Sequence, residues 1–276
     1  MRKHGVSDGK STPNRGECPV VKHSIIPPPL PPHTTLPLRL PSASELPSRE
    51  EKAVFVRAMF DRIAPRYDLL NRCLSFRLDQ YWRRVTIRTA AVSAHDTVVD
   101  LACGTGDLSE LAAQTGARVV GIDFSYNMLI GARRRNIPAT FVHSDALSTP
   151  LPTTWASVVL SGFALRNFVS IPAVIGEAAR LLKPGGRLAF LEVDTPANPF
   201  LRWGHQLYFT RLVPFLGALL SDKHAYAYLP ESVSYLPEDA ELLRLIEDAG
   251  FQQVTKQRLS GGVAQLLTAV RKKGEP

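Results

Sequence analysis

Two glycines and a carboxylate near the middle of the chain have the spacing of a nucleoside-binding site. Gly104 and Gly106 follow an apolar run at 98–101 and precede a predicted helix. Glycine lets the backbone turn and approach a ligand closely, and the first turn of a helix presents free N–H groups. Asp123 ends the next apolar run, at the distance from the glycines where a carboxylate binds ribose hydroxyls. These residues predict a site for a ligand that contains ribose.

Two other nucleotide-binding motifs fit less well. The dinucleotide fingerprint places a third glycine where this chain has Ser109. The P-loop pattern, with a lysine that reaches a transferred phosphate, does not occur in the sequence. A dinucleotide site is therefore disfavoured, and a P-loop is excluded.

The elements around this site are predicted to alternate between strands and helices. The strands are predicted at 98–101, 118–122, 140–143, 156–161 and 187–192, and the helices at 107–115, 126–135 and 171–182. Such alternation indicates a parallel sheet, whose carboxyl edge would gather Gly104, Gly106, Asp123 and the strand-ending Asp145 in one crevice. Lys183–Gly186 is predicted to be a helix stop and turn.

The two ends of the domain are predicted to form a helical cap before the sheet and a final pair of strands. Residues 50–92 are predicted to form a helical cap that Pro65 interrupts. Near the carboxyl terminus, helix 240–249 is followed by strands 254–259 and 265–270, which could pair antiparallel around two glycines.

Composition predicts one folded domain behind a disordered leader. Of the 22 prolines in the 276 residues, ten lie in residues 1–50, which show no apolar periodicity. Residues 51–273 can bury one core and are expected to form the domain, with an apolar, aromatic insertion at about 196–237. The insertion is predicted to pack on the core as helices, to form a lid over a hydrophobic substrate near a bilayer, or both.

The net charge and the cysteine content indicate which binding partners and which cell compartment to expect. The net charge of +8 is mildly basic and is not accompanied by a stacking-aromatic motif, so no nucleic-acid partner is expected. Three cysteines far apart in the sequence favour a reducing cytoplasm, and the seven histidines show no metal-ligand spacing. We expect a cytoplasmic protein whose insertion, with Arg202, Arg211 and Lys223, meets the inner face of the membrane peripherally. The oligomeric state, including a homo-oligomer, stays open.

Seven segments resemble known methyltransferases. The segments "DLACGTGDL", "GIDFSYNML", "HSDALSTPLP" and "LLKPGGRLAFLE" are similar to class I S-adenosylmethionine-dependent methyltransferases. The segments "MFDRIAPRYDLLNRCLSF", "GFALRNF" and "YLPESVSYLP" resemble, more narrowly, the UbiE/MenG family of quinone C-methyltransferases, with similarity from about Arg57 to Arg271. The resemblance implies a single doubly wound, Rossmann-like sheet of seven strands and S-adenosylmethionine as cofactor.

The activity implied by this resemblance is methylation of a ring carbon of a lipid-tailed quinol. Demethylmenaquinol is the acceptor favoured here, a ubiquinol precursor is the alternative, and a non-catalytic scaffold in a quinone-synthesis complex is a third interpretation. Because a quinone ring is electron-poor, the acceptor must be the reduced form.

The resemblance also implies roles for individual residues. Gly104, Thr105 and Gly106 would face the methionine part of the cofactor, and Asp123 the ribose. The adenine would be met by Asp145 and Ala146, and Gly162 would contribute backbone only. Asp100 is either an acid of the turn or a contact for the cofactor amine.

Three residues are catalytic candidates. Arg166 could stabilise a phenolate or form a structural salt bridge, and Asn167 could orient the acceptor hydroxyl or a water. Tyr67 could close over the cofactor or relay a proton. No metal site is expected.

Overall fold

The computed structural model describes residues 49–208, 211 and 232–273. In this part of the chain a seven-stranded sheet is flanked by helices. The strands are β1 (Thr97–Leu101), β2 (Arg118–Asp123), β3 (Thr140–His143), β4 (Ala156–Gly162), β5 (Leu182–Val193), β6 (Phe251–Leu259) and β7 (Ala264–Arg271). The helices are α1 (Arg49–Ile63), α2 (Tyr67–Leu74), α3 (Leu78–Thr89), α4 (Asp107–Ala113), α5 (Tyr126–Arg134), α6 (Ile171–Leu181), α7 (Pro199–Leu207) and α8 (Asp239–Asp248).

The strand order is β3-β2-β1-β4-β5-β7-β6. Strands β1 to β5 pair in parallel, while β7 is antiparallel to both β5 and β6. The predicted doubly wound sheet of seven strands and its antiparallel final pair are therefore confirmed.

Burial explains why the central strands are apolar along their whole length. In β1, Val98, Val99 and Leu101 are all fully enclosed, although neighbouring side chains point to opposite faces of the sheet. Val99 packs in a core with α6 and α8, whereas Val98 packs on the other face with α3 and α4. Because helices cover both faces of the sheet, side chains on both sides of the strand are buried, and the strand is apolar along its whole length.

The amino-terminal cap consists of α1, α2 and α3, with a break where the sequence predicts one. A 3₁₀ turn over Ala64–Arg66 separates α1 from α2, and it contains Pro65. Val56, Met59 and Leu70 of the cap pack on Met128 of α5. The cap therefore lies over the helix that follows β2, beside the carboxyl edge of the sheet.

The prediction of a turn at Lys183–Gly186 is wrong in part. Helix α6 does end at Leu181, but the four residues belong to β5. Ala156 pairs with Leu182 while Val158 pairs with Arg187, so β5 holds extra residues in a bulge at this point. Gly185 takes φ +77° there, which glycine tolerates and most residues do not.

Two other predicted segments lie largely outside the described residues. Of the proline-rich leader, residues 1–48 are outside, and of the insertion at 196–237, residues 209–210 and 212–231 are outside. The described part of the insertion contains α7 and a 3₁₀ turn over Val233–Tyr235. Within the part of the chain that the structure describes, every helix is too short or too polar to cross a bilayer.

Candidate active site

A cavity lies at the carboxyl ends of β1, β2, β3 and β4. Seven of the predicted site residues line it: Tyr67, Gly104, Asp123, Asp145, Ala146, Gly162 and Asn167. The other predicted cofactor residues, Asp100, Thr105 and Gly106, are not among its lining residues. Gly104, Asp123 and Asp145 thus meet in one crevice at the carboxyl edge of the sheet, whereas Gly106 does not line it.

Asp123 at the end of β2 is held in place by backbone N–H groups. Its two carboxylate oxygens accept hydrogen bonds from the N–H of Gly104 at 2.7 Å and of Ser125 at 2.8 Å. Burial raises the pKa of Asp123 to about 6, although these hydrogen bonds oppose the shift. Each carboxylate oxygen has a further lone pair, so the group can still accept hydrogen bonds from a pair of hydroxyls.

Asp100 lies within β1, two residues before the cavity residue Ala102. One of its oxygens accepts a hydrogen bond from the Ser109 hydroxyl at 2.6 Å, and the other is buried without a partner among the described residues. Burial raises the pKa of this carboxyl to about 7. An enclosed carboxylate oxygen with no hydrogen bond suits a cationic ligand group, and the ammonium of S-adenosylmethionine is such a group.

The two glycines of the loop have different roles. At Gly104, with φ +56°, an added Cβ would have no described heavy atom within 4 Å, so the backbone borders open space. At Gly106, with φ +87°, an added Cβ would lie 2.8 Å from Cδ1 of Ile137. Gly104 therefore lets a ligand approach, whereas Gly106 makes the turn into α4 under Ile137.

Two hydrogen bonds fasten the helical cap to the loops of this cavity. The Thr105 hydroxyl donates to Asp68 of α2 at 2.5 Å, and the Ser125 hydroxyl donates to Asp61 of α1 at 2.5 Å. Arg135 strengthens the first contact, since it donates to the Thr105 carbonyl at 3.0 Å and lies 3.7 Å from Asp68. The cap is therefore hydrogen-bonded to both the glycine loop and the loop after Asp123.

A second cavity of about 460 Å³ adjoins the first. Phe60, Tyr67 and Phe163 line both cavities and form the wall between them. Most of the other residues around the second cavity have apolar side chains, and many of these come from α1, α2, α3 and α7. This space can hold a hydrophobic ring directly beside the nucleoside-type cavity.

Arg166 lines the second cavity but is already paired. Its guanidinium forms a buried ion pair with Glu192 at the end of β5 and also donates to the Phe163 carbonyl at 3.0 Å and the Ser232 hydroxyl at 3.1 Å. The salt bridge that the sequence left open as an alternative is therefore present. Asn167, by contrast, lines the first cavity and donates to the Phe163 carbonyl at 3.4 Å.

Tyr67 lies where the two cavities meet. Burial raises the pKa of its phenol, with the Arg83 guanidinium and a hydrogen bond to the Asn71 side chain acting in the opposite direction. The hydroxyl therefore stays protonated at neutral pH. The predicted role of Tyr67, which is to close over the cofactor or to relay a proton, stays a prediction.

Several residues of the site were not found by sequence reasoning. Phe60 and Phe163 form the shared wall, and Asp79 and Arg83 of α3 line the second cavity. The acid and the base are four residues apart on one helix, which places them on the same face. That spacing could have indicated the pair, but a solvated surface pair has the same pattern.

Comparison with known proteins is consistent with this geometry. Residues 47–271 match the family described as ubiE/COQ5 methyltransferase. A demethylmenaquinone methyltransferase of Thermus thermophilus is 43% identical over 215 residues, which cover 75% of this chain and 97% of the relative. The ubiquinone/menaquinone biosynthesis C-methyltransferase UbiE of Syntrophotalea carbinolica is 41% identical over 221 residues, which cover 78% of this chain and 93% of the relative.

Solved structures share the fold at lower identity. Magnesium protoporphyrin IX methyltransferase from Synechocystis PCC 6803, solved with bound S-adenosylhomocysteine, has a TM-score of 0.57 and 20% identity, and the match covers 80% of this chain and 100% of that one. A putative S-adenosylmethionine-dependent methyltransferase from Methanococcus maripaludis has a TM-score of 0.55 and 18% identity, covering 84% of this chain and 98% of that one. At these identities the similarity establishes the architecture of the sheet.

Proposed function

The chain belongs to the ubiE/COQ5 methyltransferase family and is an S-adenosylmethionine-dependent methyltransferase, and we propose that it methylates a ring carbon of demethylmenaquinol to give menaquinol. The observation on which this proposal rests is the pair of adjoining cavities. One has the carboxylates and glycine loop suited to a nucleoside, and the other is apolar and shares the wall of Phe60, Tyr67 and Phe163.

We propose that the first cavity holds the cofactor. Asp123 would accept hydrogen bonds from the ribose hydroxyls, and the partnerless oxygen of Asp100 would compensate the ammonium. Gly104 and Gly162 would border the cofactor with backbone only, while Asp145 and Ala146 would meet the adenine. When bound, S-adenosylmethionine supplies an electrophilic methyl group on a sulfonium.

The chain's own contribution is to place the acceptor ring against that methyl group. Alignment of the reacting atoms supplies a large part of the rate of such a displacement. The apolar second cavity would take the ring and the first part of its isoprenoid tail. Tyr67 and Phe163, in the shared wall, would contact both the cofactor and the ring.

Arg166 is proposed to orient the acceptor and not to act as a free cation. A guanidinium paired with Glu192 presents a weaker net field to a phenolate than an unpaired one does. Its hydrogen bond to the Phe163 carbonyl and its ion pair with Glu192 tie the wall of the second cavity to β5. Asn167 would act on the cofactor side of this wall.

A lipid-tailed acceptor needs a route from the bilayer into the second cavity, so we propose peripheral membrane contact. Three apolar residues at its rim are strongly exposed: Phe76 at 72%, Phe200 at 78% and Trp203 at 64%. Side chains of this size on a surface favour insertion between lipid headgroups. Arg202, which the sequence placed at the headgroups, donates to the Pro196 and Ala197 carbonyls and so holds the start of α7.

A ubiquinol precursor is the alternative acceptor, because one relative is named for both pathways. The test incubates the purified protein with S-adenosylmethionine and, in parallel, chemically reduced demethylmenaquinol or 2-methoxy-6-polyprenyl-1,4-benzoquinol in detergent. Mass spectrometry should find a product one methyl heavier with demethylmenaquinol and less with the benzoquinol. No product from either, with cofactor binding intact, would overturn the proposal and favour the scaffold interpretation.

A further inference from the structure

A buried acid–base pair in the mainly apolar second cavity has no role in the function proposed above. Asp79 and Arg83 lie one turn apart on α3, both line the cavity, and their side chains are 5% and 6% exposed. Burial of an acid and a base in an apolar cavity costs free energy unless their hydrogen bonds are satisfied. Such a pair beside a reaction site is a candidate for chemistry.

Asp79 is the one carboxylate among the described residues that line this cavity. It accepts a hydrogen bond from the Ser75 hydroxyl at 2.6 Å on one oxygen and from the Gln80 amide at 3.0 Å on the other. A carboxylate has about four acceptor positions, so it can accept a further hydrogen bond from a ligand hydroxyl.

Arg83 is held loosely by its neighbours. Its Nε is buried without a hydrogen bond, at 3.4 Å from Asp107 and 3.8 Å from Asp79. Asp107 instead accepts a hydrogen bond from Arg135 at 2.6 Å and one from Gln80 at 3.2 Å. Arg83 therefore differs from Arg166, whose guanidinium is hydrogen-bonded to Glu192, Ser232 and Phe163.

Arg83 also reaches the wall between the cavities. Its guanidinium carbon lies 5.0 Å from the centre of the Phe163 ring, and its Nη1 lies 3.0 Å from the point where a Cβ on Gly162 would be. Gly162 and Phe163 both line the cofactor cavity. The cation is thus at the junction where the acceptor ring and the transferred methyl group would meet.

We propose that Asp79 is the general base that accepts the proton of the acceptor's hydroxyl group, and that Arg83 stabilises the resulting phenolate. This inference rests on the proposed function and names the proton acceptor within the same site. The other ionisable side chains lining the cavity suit the task less well. Arginine cannot accept a proton, and the buried phenol of Tyr67 keeps its own.

Each proton and each electron pair of the proposed reaction has a defined acceptor. Asp79 takes the proton of the hydroxyl beside the acceptor carbon, and the O–H electron pair stays on the oxygen next to Arg83. The ring carbon then forms its bond to the methyl group while the methyl–sulfur bond breaks and its electron pair stays on sulfur. The ring hydrogen leaves that carbon as a proton to water, and Asp79 returns its proton to the oxygen. One proton is released overall.

The test compares Asp79→Asn with Glu110→Gln, at saturating cofactor and with demethylmenaquinol as acceptor. Glu110 pairs with Arg135 in the same charged network but lines neither cavity. Rates are expressed per site that binds S-adenosylhomocysteine, so that any misfolded fraction is not counted. Loss of a general base should lower kcat of Asp79→Asn by about 100-fold or more with a smaller change in KM. Glu110→Gln should stay within about twofold of the wild type, because this partly exposed ion pair lies outside both cavities.

Arg83 is tested by a matched pair of variants. Arg83→Met should lower kcat by about 100-fold, the usual effect of removing a group that stabilises a developing oxyanion. Arg83→Lys retains the charge and should recover part of that loss. Equal loss in both variants would contradict a role for the charge.

A binding measurement tests the inference without turnover. The probes are 4-methoxy-1-naphthol, which has one hydroxyl, and 1,4-dimethoxynaphthalene, which has none. The wild type and Glu110→Gln should prefer the naphthol, and Asp79→Asn should lose about fivefold or more of that preference, because a charge-assisted hydrogen bond is roughly twice as strong as a neutral one.

Two results would overturn the inference: an unchanged naphthol preference, or an Asp79→Asn kcat within about threefold of an active wild type. If the wild type itself methylates neither quinol, the proposed function fails, and the naphthol preference still decides whether Asp79 meets a hydroxyl.

Discussion

Asp68 of the helical cap accepts a hydrogen bond from the hydroxyl of Thr105 in the glycine loop at 2.5 Å. The two residues are far apart in sequence and come together because α2 lies over the carboxyl end of β1. The proposed cofactor cavity therefore lies between a loop and a cap that are hydrogen-bonded to each other. Release of the cofactor should require this contact to open.

Breaking the contact is expected to weaken cofactor binding. Asp68→Ala and Thr105→Val should each lower the affinity for S-adenosylhomocysteine by about 10- to 100-fold, the range expected for loss of a hydrogen bond to a charged group. The double variant should lose little more than either single variant, since both remove one interaction. Calorimetric titration of the four proteins measures this coupling. Fully additive losses would show that the contact does not hold the cap closed.

Cofactor affinity is expected to rise with pH between about 5 and 7. Burial raises the pKa of Asp100 to about 7 and of Asp123 to about 6, so both are protonated in the free protein at low pH. An ammonium beside Asp100 and ribose hydroxyls beside Asp123 both favour the ionised carboxylates. Binding should therefore release protons in this range, and the affinity should level off above it.

The variant Asp100→Asn distinguishes the contribution of Asp100 to the pH dependence of cofactor affinity from that of Asp123. The variant keeps a side chain of the same shape but does not titrate, so its affinity should depend on pH only through Asp123, mostly below 6. Calorimetry in two buffers of different ionisation enthalpy counts the protons released. The same proton release from variant and wild type at pH 7 would contradict the role of Asp100.

A side chain at position 162 is expected to displace Leu108 and Arg83. An added Cβ would lie 2.8 Å from Cδ1 of Leu108 and 3.0 Å from Nη1 of Arg83. Gly162→Ala should lower the free energy of unfolding by about 1–3 kcal/mol through overpacking and should lower kcat by displacing Arg83. Gly176→Ala is the control, because Gly176 lies within α6 and an added Cβ there has no neighbour within 4 Å.

The control should change stability in the opposite direction. Alanine in a helix interior is favoured over glycine by about 0.5–1 kcal/mol, so Gly176→Ala should raise the free energy of unfolding. Urea denaturation with turnover assays on both variants provides the measurement. An unchanged kcat in a folded Gly162→Ala protein would show that the space around Arg83 is not needed for the reaction.

Binding to lipid vesicles is expected to depend on the exposed apolar rim of the second cavity. Phe200→Ser with Trp203→Ser should lower the fraction of protein that sediments with anionic vesicles, since each side chain would lose its insertion into the headgroup region. Val54→Ser is the control, because Val54 is also exposed, at 53%, but lines neither cavity. An equal loss in the control would indicate a general effect of surface hydrophobicity.

The sequence predicts most of the sheet because each central strand is buried on both faces. Such strands are continuous apolar runs, and the glycines and acids that follow them mark the carboxyl edge. The bulge at Lys183–Gly186 was not predictable in this way. Proline and glycine after a helix look the same whether the chain turns there or continues as an irregular strand, and pairing with β4 decides between the two.

The residues of the second cavity are harder to predict from the sequence than those of the first. Most of the predicted cofactor residues come directly after strands of the parallel sheet. Because the carboxyl ends of these strands lie at one edge of the sheet, the residues are brought together there. The pairing of Arg166 with Glu192 depends on how β5 lies beside the 3₁₀ turn at 165–167, which no local pattern specifies. Asp79 and Arg83 lie on a cap helix whose inward face is set only when α3 packs on β5 and β7.

The most direct test of the proposed reaction uses S-adenosylmethionine with a deuterated methyl group. Purified protein and reduced demethylmenaquinol should give menaquinol with the label on the ring carbon, as located by mass spectrometry and NMR, and Asp79→Asn should give much less. Label on an oxygen, or no labelled quinol despite bound cofactor, would contradict the account.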